Sequence, residues 1–233
     1  MSVITGRQLF GATIEHGTVT GIAMGNKTWT QTADSRSAQR EIKRRAVLMA
    51  GARLFNDQGY EQTSLEDIAA ALNITKRTIY YYVQSKEDIL FGCQQLSLEF
   101  LADVMESSRD ESLPVQERIS RLVGGYCEWV STDLGASLAM VRPYSLSPER
   151  REALHEGKAR FDFQLRALIE QGIREGVIRH CDPRLVAAGV FGALNWIPFW
   201  NRTARPVPHE EIAEQYLAMI MNGLLPSPQK PDA

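Results

Sequence analysis

A chain of 233 residues with 44% hydrophobic content can bury a substantial core, and suits one large domain or two smaller ones. Its formal net charge of −2 excludes a polycation and confines any nucleic-acid contact to a local patch. The three cysteines, Cys93, Cys127 and Cys181, are widely spaced and include no CxxC pair, so neither a disulfide framework nor a metal site is expected, and no cofactor motif appears.

Residues 1–35 are rich in Gly, Thr and Ser without a sustained period, and are expected to form a flexible arm. They carry no basic stretch followed by an apolar one, and no apolar run reaches the roughly 18 residues of a membrane span. A cytoplasmic protein without membrane contact is expected. From Ser37 the hydrophobic period becomes helical. Val47, Gly51 and Leu54, with Leu48 and Phe55 beside them, form an apolar stripe on a helix running to about Gln58, where Gly59 stops it. Gly51 inside a helix costs about 1 kcal/mol against Ala, which points to a close helix approach there. Arg40, Lys43, Arg44 and Arg45 occupy the first turns. Positive charge at a helix start opposes the macrodipole, so either an external anion such as phosphate meets it or the face is solvated.

Thr63 to Asp88 contains two short helical patterns joined by a tight connection. Thr63 and Ser64 offer N-cap oxygens, with Asp67 three residues after Ser64. Leu65, Ile68, Ala69 and Leu72 recur at helical spacing. Asn73 tolerates the left-handed backbone that ends this helix, and Thr75 can cap the next. The second helix, Lys76 to Val83, packs inward through Ile79 and Val83, with Tyr80, Tyr82 or both partly inside. It leaves Lys76, Arg77, Thr78 and Tyr81 facing out. A short helix-turn-helix with a basic, aromatic second helix suits a DNA groove, although an amphipathic hairpin alone is common. Lys86, the preceding basic helix and three consecutive tyrosines favour DNA. Residues 36–92 hold nine Lys and Arg against seven Asp and Glu, whereas residues 93–233 hold fifteen against nineteen. That split is the sign expected of a DNA-binding head on an acidic body.

The remainder is helical in pattern. Ser85 caps a helix through Ile89, Leu96, Leu101 and Val104. Pro114 opens another carrying Val115, Ile119, Leu122, Tyr126, Trp129 and Val130, and a short piece spans Leu134 to Val141. A long helix runs from Pro148 to Glu175, ended by Gly176. Asp182-Pro183 caps one whose centre, Gly189 to Trp200, is apolar on nearly all sides, with Pro198 expected to kink it. Glu210 to Leu224 forms the last helix, and residues 226–233 are expected to be a disordered tail. The architecture is thus all-α: a three-helix head with its helix-turn-helix at 36–88, and a helical ligand-binding and dimerisation bundle at 89–225. The apolar terminal helices suggest a homodimer joined as a four-helix bundle. Tyr126, Trp129, Phe161, Phe191, Trp196, Phe199 and Trp200 are candidates to line an apolar ligand pocket. Met140 and Arg142, with Tyr144, stand near a helix break where a polar ligand head could be selected.

Residues 46–92 resemble the DNA-binding head of the tetracycline-repressor (TetR) family. The match runs from Ala50 and Leu54-Phe55 through Gly59-Tyr60, Thr63, Asp67-Ile68-Ala69 and Ile74-Thr75 to Thr78-Ile79-Tyr80 and Ser85-Lys86. The resemblance implies that Thr63 caps the second helix near phosphate. It also implies that Lys76, Arg77, Thr78, Tyr80 and Tyr81 meet bases or nearby backbone, and that Tyr82 and Lys86 grip phosphates. Asn73, Arg77 and Val83 depart from the family's usual Gly, small residue and Phe. Arg40, Lys43, Arg44, Ser64 and Thr75 join Thr63, Lys76, Arg77, Thr78, Tyr80, Tyr81, Tyr82 and Lys86 in the expected DNA-contacting set. In the body, Gly172 to Val177, Asp182 and Asn195-Trp196-Ile197 look like members that respond to acyl-CoA thioesters. The resemblance implies a dimeric regulator, usually a repressor, released from a near-palindromic operator when an apolar or acyl-CoA-like effector binds the body. Coupling would run along the helix from Ser85. A ligand-independent architectural DNA binder and an enzyme acting on an apolar substrate are the competing readings. The second finds no metal cluster, phosphate loop or nucleophile with its base.

Overall fold

The computed structural model describes the backbone of residues 29–140 and 145–225, and the side chains of 37–140 and 145–225. Most of the expected arm (1–28), Arg142 and Tyr144, and the expected tail (226–233) lie outside the described residues. The chain divides into two units, Met1–Ala38 and Gln39–Ala233, and every contact considered below lies within the second. The described residues are all-α. In chain order the helices are α1 (Trp29–Gln58), α2 (Leu65–Ala71), α3 (Lys76–Ile79), α4 (Lys86–Ser107), α5 (Val115–Val130), α6 (Asp133–Met140), α7 (Pro148–Arg174), α8 (Pro183–Trp200) and α9 (His209–Leu224).

Helix α1 begins at Trp29, upstream of the expected start at Ser37 and inside the segment expected to be an arm. The added turns carry no apolar stripe to signal them; once a helix is nucleated, extending it costs little. Gly59 at φ +93° ends α1, and Asn73 at φ +53° closes α2, as the residue types suggested. Helix α3 is shorter than the expected Lys76–Val83. Beyond Ile79 the chain tightens: Tyr81 N–H donates to Thr78 O at 3.2 Å and Tyr82 N–H to Ile79 O at 2.8 Å, a 3₁₀-like turn. Pro198 does not end α8, which continues to Trp200 with Ile197 and Pro198 both buried.

The head core is built from Val47, Leu48, Ala52 and Phe55 of α1, Ile68 and Ala69 of α2, Ile79 and Val83 around α3, and Ile89, Leu90 and Cys93 of α4. Burying each large aliphatic of this set contributes about 1.5–3 kcal/mol. Two glycines let α1 and α4 meet. A Cβ on Gly51 would fall on Cγ2 of Ile89, and one on Gly92 would sit 2.8 Å from Cδ2 of Leu48. The body is organised around α5, which packs against α4, α6, α7, α8 and α9. Its buried apolar residues, Val115, Ile119, Leu122, Val123, Tyr126, Cys127, Trp129 and Val130, occupy more than one face.

Polar contacts fasten the head to the body. Ser147 N–H donates to Glu87 Oε1 at 2.9 Å, and Arg150 Nη2 donates to Asp88 Oδ1 at 2.5 Å. The same guanidinium lies 3.4 Å from Glu87 and 4.9 Å from the Phe91 ring centroid. On the α1 side, Asn56 Nδ2 donates to Asp133 O at 2.8 Å, and Asp57 pairs with Arg202 after α8. Partial burial alone would raise the Asp88 pKa; the Arg150 guanidinium and the Gln84 N–H outweigh it and hold the carboxyl below its ordinary value.

Because that folded-state pKa is depressed, the Asp88 contribution is present above the ordinary carboxylate range and is lost as pH falls through the folded value. Arg150→Gln should therefore lower stability near neutral pH by up to about 1 kcal/mol, the usual scale for a part-exposed pair. It should also move the acid limb of unfolding to higher pH. Thermal unfolding followed from pH 7 to acid checks both; identical acid limbs would show that the joint carries no weight.

Candidate nucleic-acid interface

The candidate surface is assembled by local hydrogen bonding first. Ser64 is the N-cap of α2: its Oγ accepts from Asp67 N–H at 3.1 Å, and its own N–H donates to Asp67 Oδ2 at 2.8 Å. This reciprocal box satisfies two orphan donors. Thr63, expected to cap α2 near phosphate, does not. It is 2% exposed, and its hydroxyl donates to Gly59 O at 2.8 Å, inside the α1–α2 turn. A buried hydroxyl already spent on a carbonyl has nothing to offer a phosphate. Thr75 caps α3, its Oγ1 accepting from Thr78 N–H at 3.2 Å and sharing a 2.9 Å hydrogen bond with Thr78 Oγ1.

With Ile79 and Val83 anchored inside, the rest of the segment is turned outward. Lys76 and Arg77 are exposed, and Tyr80 and Tyr81 are 50% and 65% exposed, whereas Tyr82 is half-buried. Arg40 Nη2 donates to Tyr81 O at 3.2 Å, so α1 braces the turn after α3. Arg44 and Tyr82 line one cleft of about 360 Å³ with Gln84, Phe91, Gln95 and Arg150. Lys43 is exposed on α1. Because α1 begins at Trp29, Arg40, Lys43, Arg44 and Arg45 lie in its middle and not in its first turns as expected, and the tertiary structure brings Arg40 beside the α3 turn from some forty residues away in sequence. Lys86 is already engaged within the head. Its Nζ donates to Tyr60 O at 2.7 Å and Glu61 O at 3.3 Å, and lies 4.3 Å from the Tyr60 ring centroid. Burial first, then the nearby carboxylates of Glu61 and Glu87, push the Tyr60 hydroxyl up to about 12.

Two residues of this surface were not singled out from the sequence. Glu66 of α2 pairs with the Lys76 ammonium. That hydrogen bond is the main cause lowering the Glu66 pKa and raising that of Lys76. Arg150 reaches the head from α7. Neither carries a local signal, since both act on partners distant in the chain.

The body aromatics divide into two groups. Tyr126, Trp129, Phe161 and Phe191 form one cluster, with the Tyr126 ring 5.0, 5.1 and 5.2 Å from the other three centroids. Tyr126 Oη donates to Asn195 Oδ1 at 2.7 Å, while Trp129 Nε1 and Gln94 Oε1 are buried without a partner. Burial drives the Tyr126 pKa up. Trp200 and Met140 are half-buried. Trp196 and Phe199 lie apart from that cluster. They are 60% and 46% exposed and stack on each other at 4.8 Å, because Ile197, Leu194 and Val190 take the inward face of α8.

Comparison with known proteins places this geometry. The model for bacterial regulatory proteins of the tetR family matches residues 47–93, and that for a tetracyclin repressor-like C-terminal domain matches residues 112–224. The crystal structure of PfmR, a TetR family transcriptional regulator from Thermus thermophilus, is 30% identical, with 76% of this chain and 97% of that one covered and a TM-score of 0.67. AibR, crystallised in complex with isovaleryl coenzyme A and operator DNA, is 28% identical over 76% of this chain and 96% of that one, again at a TM-score of 0.67. The fatty acid metabolism regulator protein of Bacillus subtilis (strain 168) is 22% identical over 191 residues, 80% of this chain and 97% of that protein. The helix-turn-helix head, the helical body and these matches together identify the chain as a member of the TetR family of DNA-binding transcriptional regulators.

Proposed function

We propose that this chain is a ligand-responsive homodimeric repressor that contacts a near-palindromic operator through α3 and the turn after it. The observation that carries the reading is the outward set Lys76, Arg77, Tyr80 and Tyr81, with the half-buried Thr78 beside them, held by the inward anchors Ile79 and Val83 and braced by Arg40. Arg and Lys donate to guanine O6 and N7 in the major groove, and tyrosines serve backbone and base contacts. Ser64, Thr75, Lys43 and Arg44 border this set. Lys86 acts mainly by holding the start of α4 to the α1–α2 turn.

The dimer reading is supported by the outer face of α8. Leu185, Trp196 and Phe199 are exposed there, and Gly189 and Gly192, between them, have nothing within 4 Å of where a Cβ would stand. Large apolar ends flanking a flat, small-residue centre suit a second helix packed closely. Two heads related by a two-fold axis then reach successive major grooves about 34–36 Å apart.

The effector class is inferred from the Tyr126–Trp129–Phe161–Phe191 cluster and its unpartnered Trp129 Nε1, together with the acyl-CoA complex of AibR and the fatty-acid role in the Bacillus relative's name. An acyl chain suits the aromatic cluster, and the thioester end offers acceptors to Trp129 Nε1. Release from DNA requires the effector to favour one head arrangement over another. Helix α4 and the Arg150 joint are the path by which the body can bias it.

Lys76→Ala and Arg77→Ala should each weaken operator binding by about 1–3 kcal/mol, with Arg77→Ala also relaxing base preference. Titrations on operator and random duplexes check this, and unchanged affinity and preference in both would remove α3 from the interface. Trp196→Glu should give a monomer in sedimentation at micromolar concentration and lose operator binding; a monomeric wild type would overturn the dimer. A thermal-shift series from isovaleryl-CoA to long-chain acyl-CoAs should raise Tm. Ligand at 100 times its Kd adds about 2.7 kcal/mol, and it should also release the operator. No shift at any chain length would discard this effector class.

A further inference from the structure

The DNA-facing surface contains a carboxylate that phosphate attraction alone does not explain. The first turn of α2 carries two acids, Glu66 and Asp67. Asp67 is consumed by the capping box, accepting the Ser64 N–H at 2.8 Å and the Ser64 hydroxyl at 2.7 Å. Glu66 stands outside that box, and the hydrogen bond to Lys76 outweighs the one to its own N–H in lowering its pKa. It crosses from α2 to α3 and pairs with Lys76, and both side chains remain substantially exposed, at 59% and 44%. Beside them stand Thr75 and Arg77, also exposed. An acid placed here opposes binding to any phosphate backbone, and it occupies the first basic residue of the recognition helix.

We propose that Glu66 is a specificity-determining residue: with Lys76 it presents an acceptor and a donor side by side that match a G·C base pair, and it removes one positive charge per head from non-specific binding. This rests on the reading of α3 as the groove-facing helix. In the major groove, guanine shows two adjacent acceptors, O6 and N7, and its paired cytosine shows an amino donor at N4. An ammonium only donates and an ionised carboxylate only accepts, so the pair meets both halves of that pattern without breaking. On other DNA the Lys76 charge is already neutralised, and the protein gains less from phosphates. Freed from Glu66, Lys76 becomes a mobile point charge that binds phosphate wherever it finds it.

The test starts with the full-length wild type, which selects its operator from a random duplex library. Glu66→Gln keeps the side chain's size and leaves the Ser64–Asp67 cap intact; unchanged circular dichroism and Tm confirm the fold, and Glu66→Ala serves as a second variant. The expected result is severalfold tighter binding to random duplex, with a log–log salt dependence steeper by about 0.9 per head. The operator-to-random affinity ratio should fall by about tenfold, and a repeated selection should lose its G·C preference at one column per half-site. In a Lys76→Ala background the same substitution should leave the salt dependence unchanged, because the positive charge that Glu66 masks is then gone. A wild type that selects a site, with a Glu66→Gln variant that keeps the same ratio or the same column, overturns this inference alone. A wild type that enriches no duplex overturns the DNA-binding reading and this inference with it.

Discussion

The crossing of α1 and α4 is the constraint on which the head depends. At this crossing the two helices approach too closely for a β-carbon on either glycine. Gly51 faces Ile89, and Gly92 faces Leu48. All of Leu48, Ile89, Leu90 and Cys93 are fully buried there, so neither helix can move away without opening a cavity. Helices α2 and α3 are too short to be stable alone. They hold their places because Ile68, Ala69, Ile79 and Val83 plug into the same core. The outward presentation of Lys76, Arg77 and the tyrosines is thus a consequence of what is packed inward.

Helix α4 carries that constraint into the body. Its first turns pack among the head residues and its later turns, through Leu101, among the body residues of one continuous core, with Ser97 Oγ donating to Leu134 O at 3.2 Å. A helix packed along its length on head and body transmits a tilt more readily than a loop would. The polar joint adds direction. Arg150 and Ser147 grip the start of α4 from α7, while Asn56 and Asp57 tie the end of α1 to α6 and to the segment after α8. These ties are part-exposed ion pairs and single hydrogen bonds, worth little each. A weak joint suits the proposed role, in which the body biases the head between two arrangements of similar energy.

Charge on this protein is placed rather than abundant. The net charge of −2 leaves no general attraction to DNA. Several basic groups of the head are also partnered within it: Lys76 with Glu66, Lys86 with two carbonyls of the α1–α2 turn, Arg40 with Tyr81 O, and Arg44 with Glu41. Such pairing orients the cations before any ligand arrives and lowers the ordering cost of using them.

What the sequence determined by itself was everything closed by contacts within about one helical turn. The Ser64–Asp67 box, the Thr75 and Ser85 caps, the stops at Gly59 and Asn73, and the apolar stripes of α1 and α5 were all legible, because both partners of each contact are near neighbours in the chain. The family's head pattern was legible for the same reason. Only the tertiary structure decided which of several exposed-looking groups were free. Thr63 was taken inside by carbonyls of α1 and the turn after it, Lys86 was drawn onto Tyr60, and Glu66 met Lys76. Periodicity also could not say which side of the all-apolar α8 would be covered. Val190, Leu194 and Ile197 face α5, α6 and α7 as a group, and Trp196 and Phe199 were left outside. An apolar residue records that it prefers burial, but the partner that buries it belongs to another part of the fold, or to a second copy of the chain.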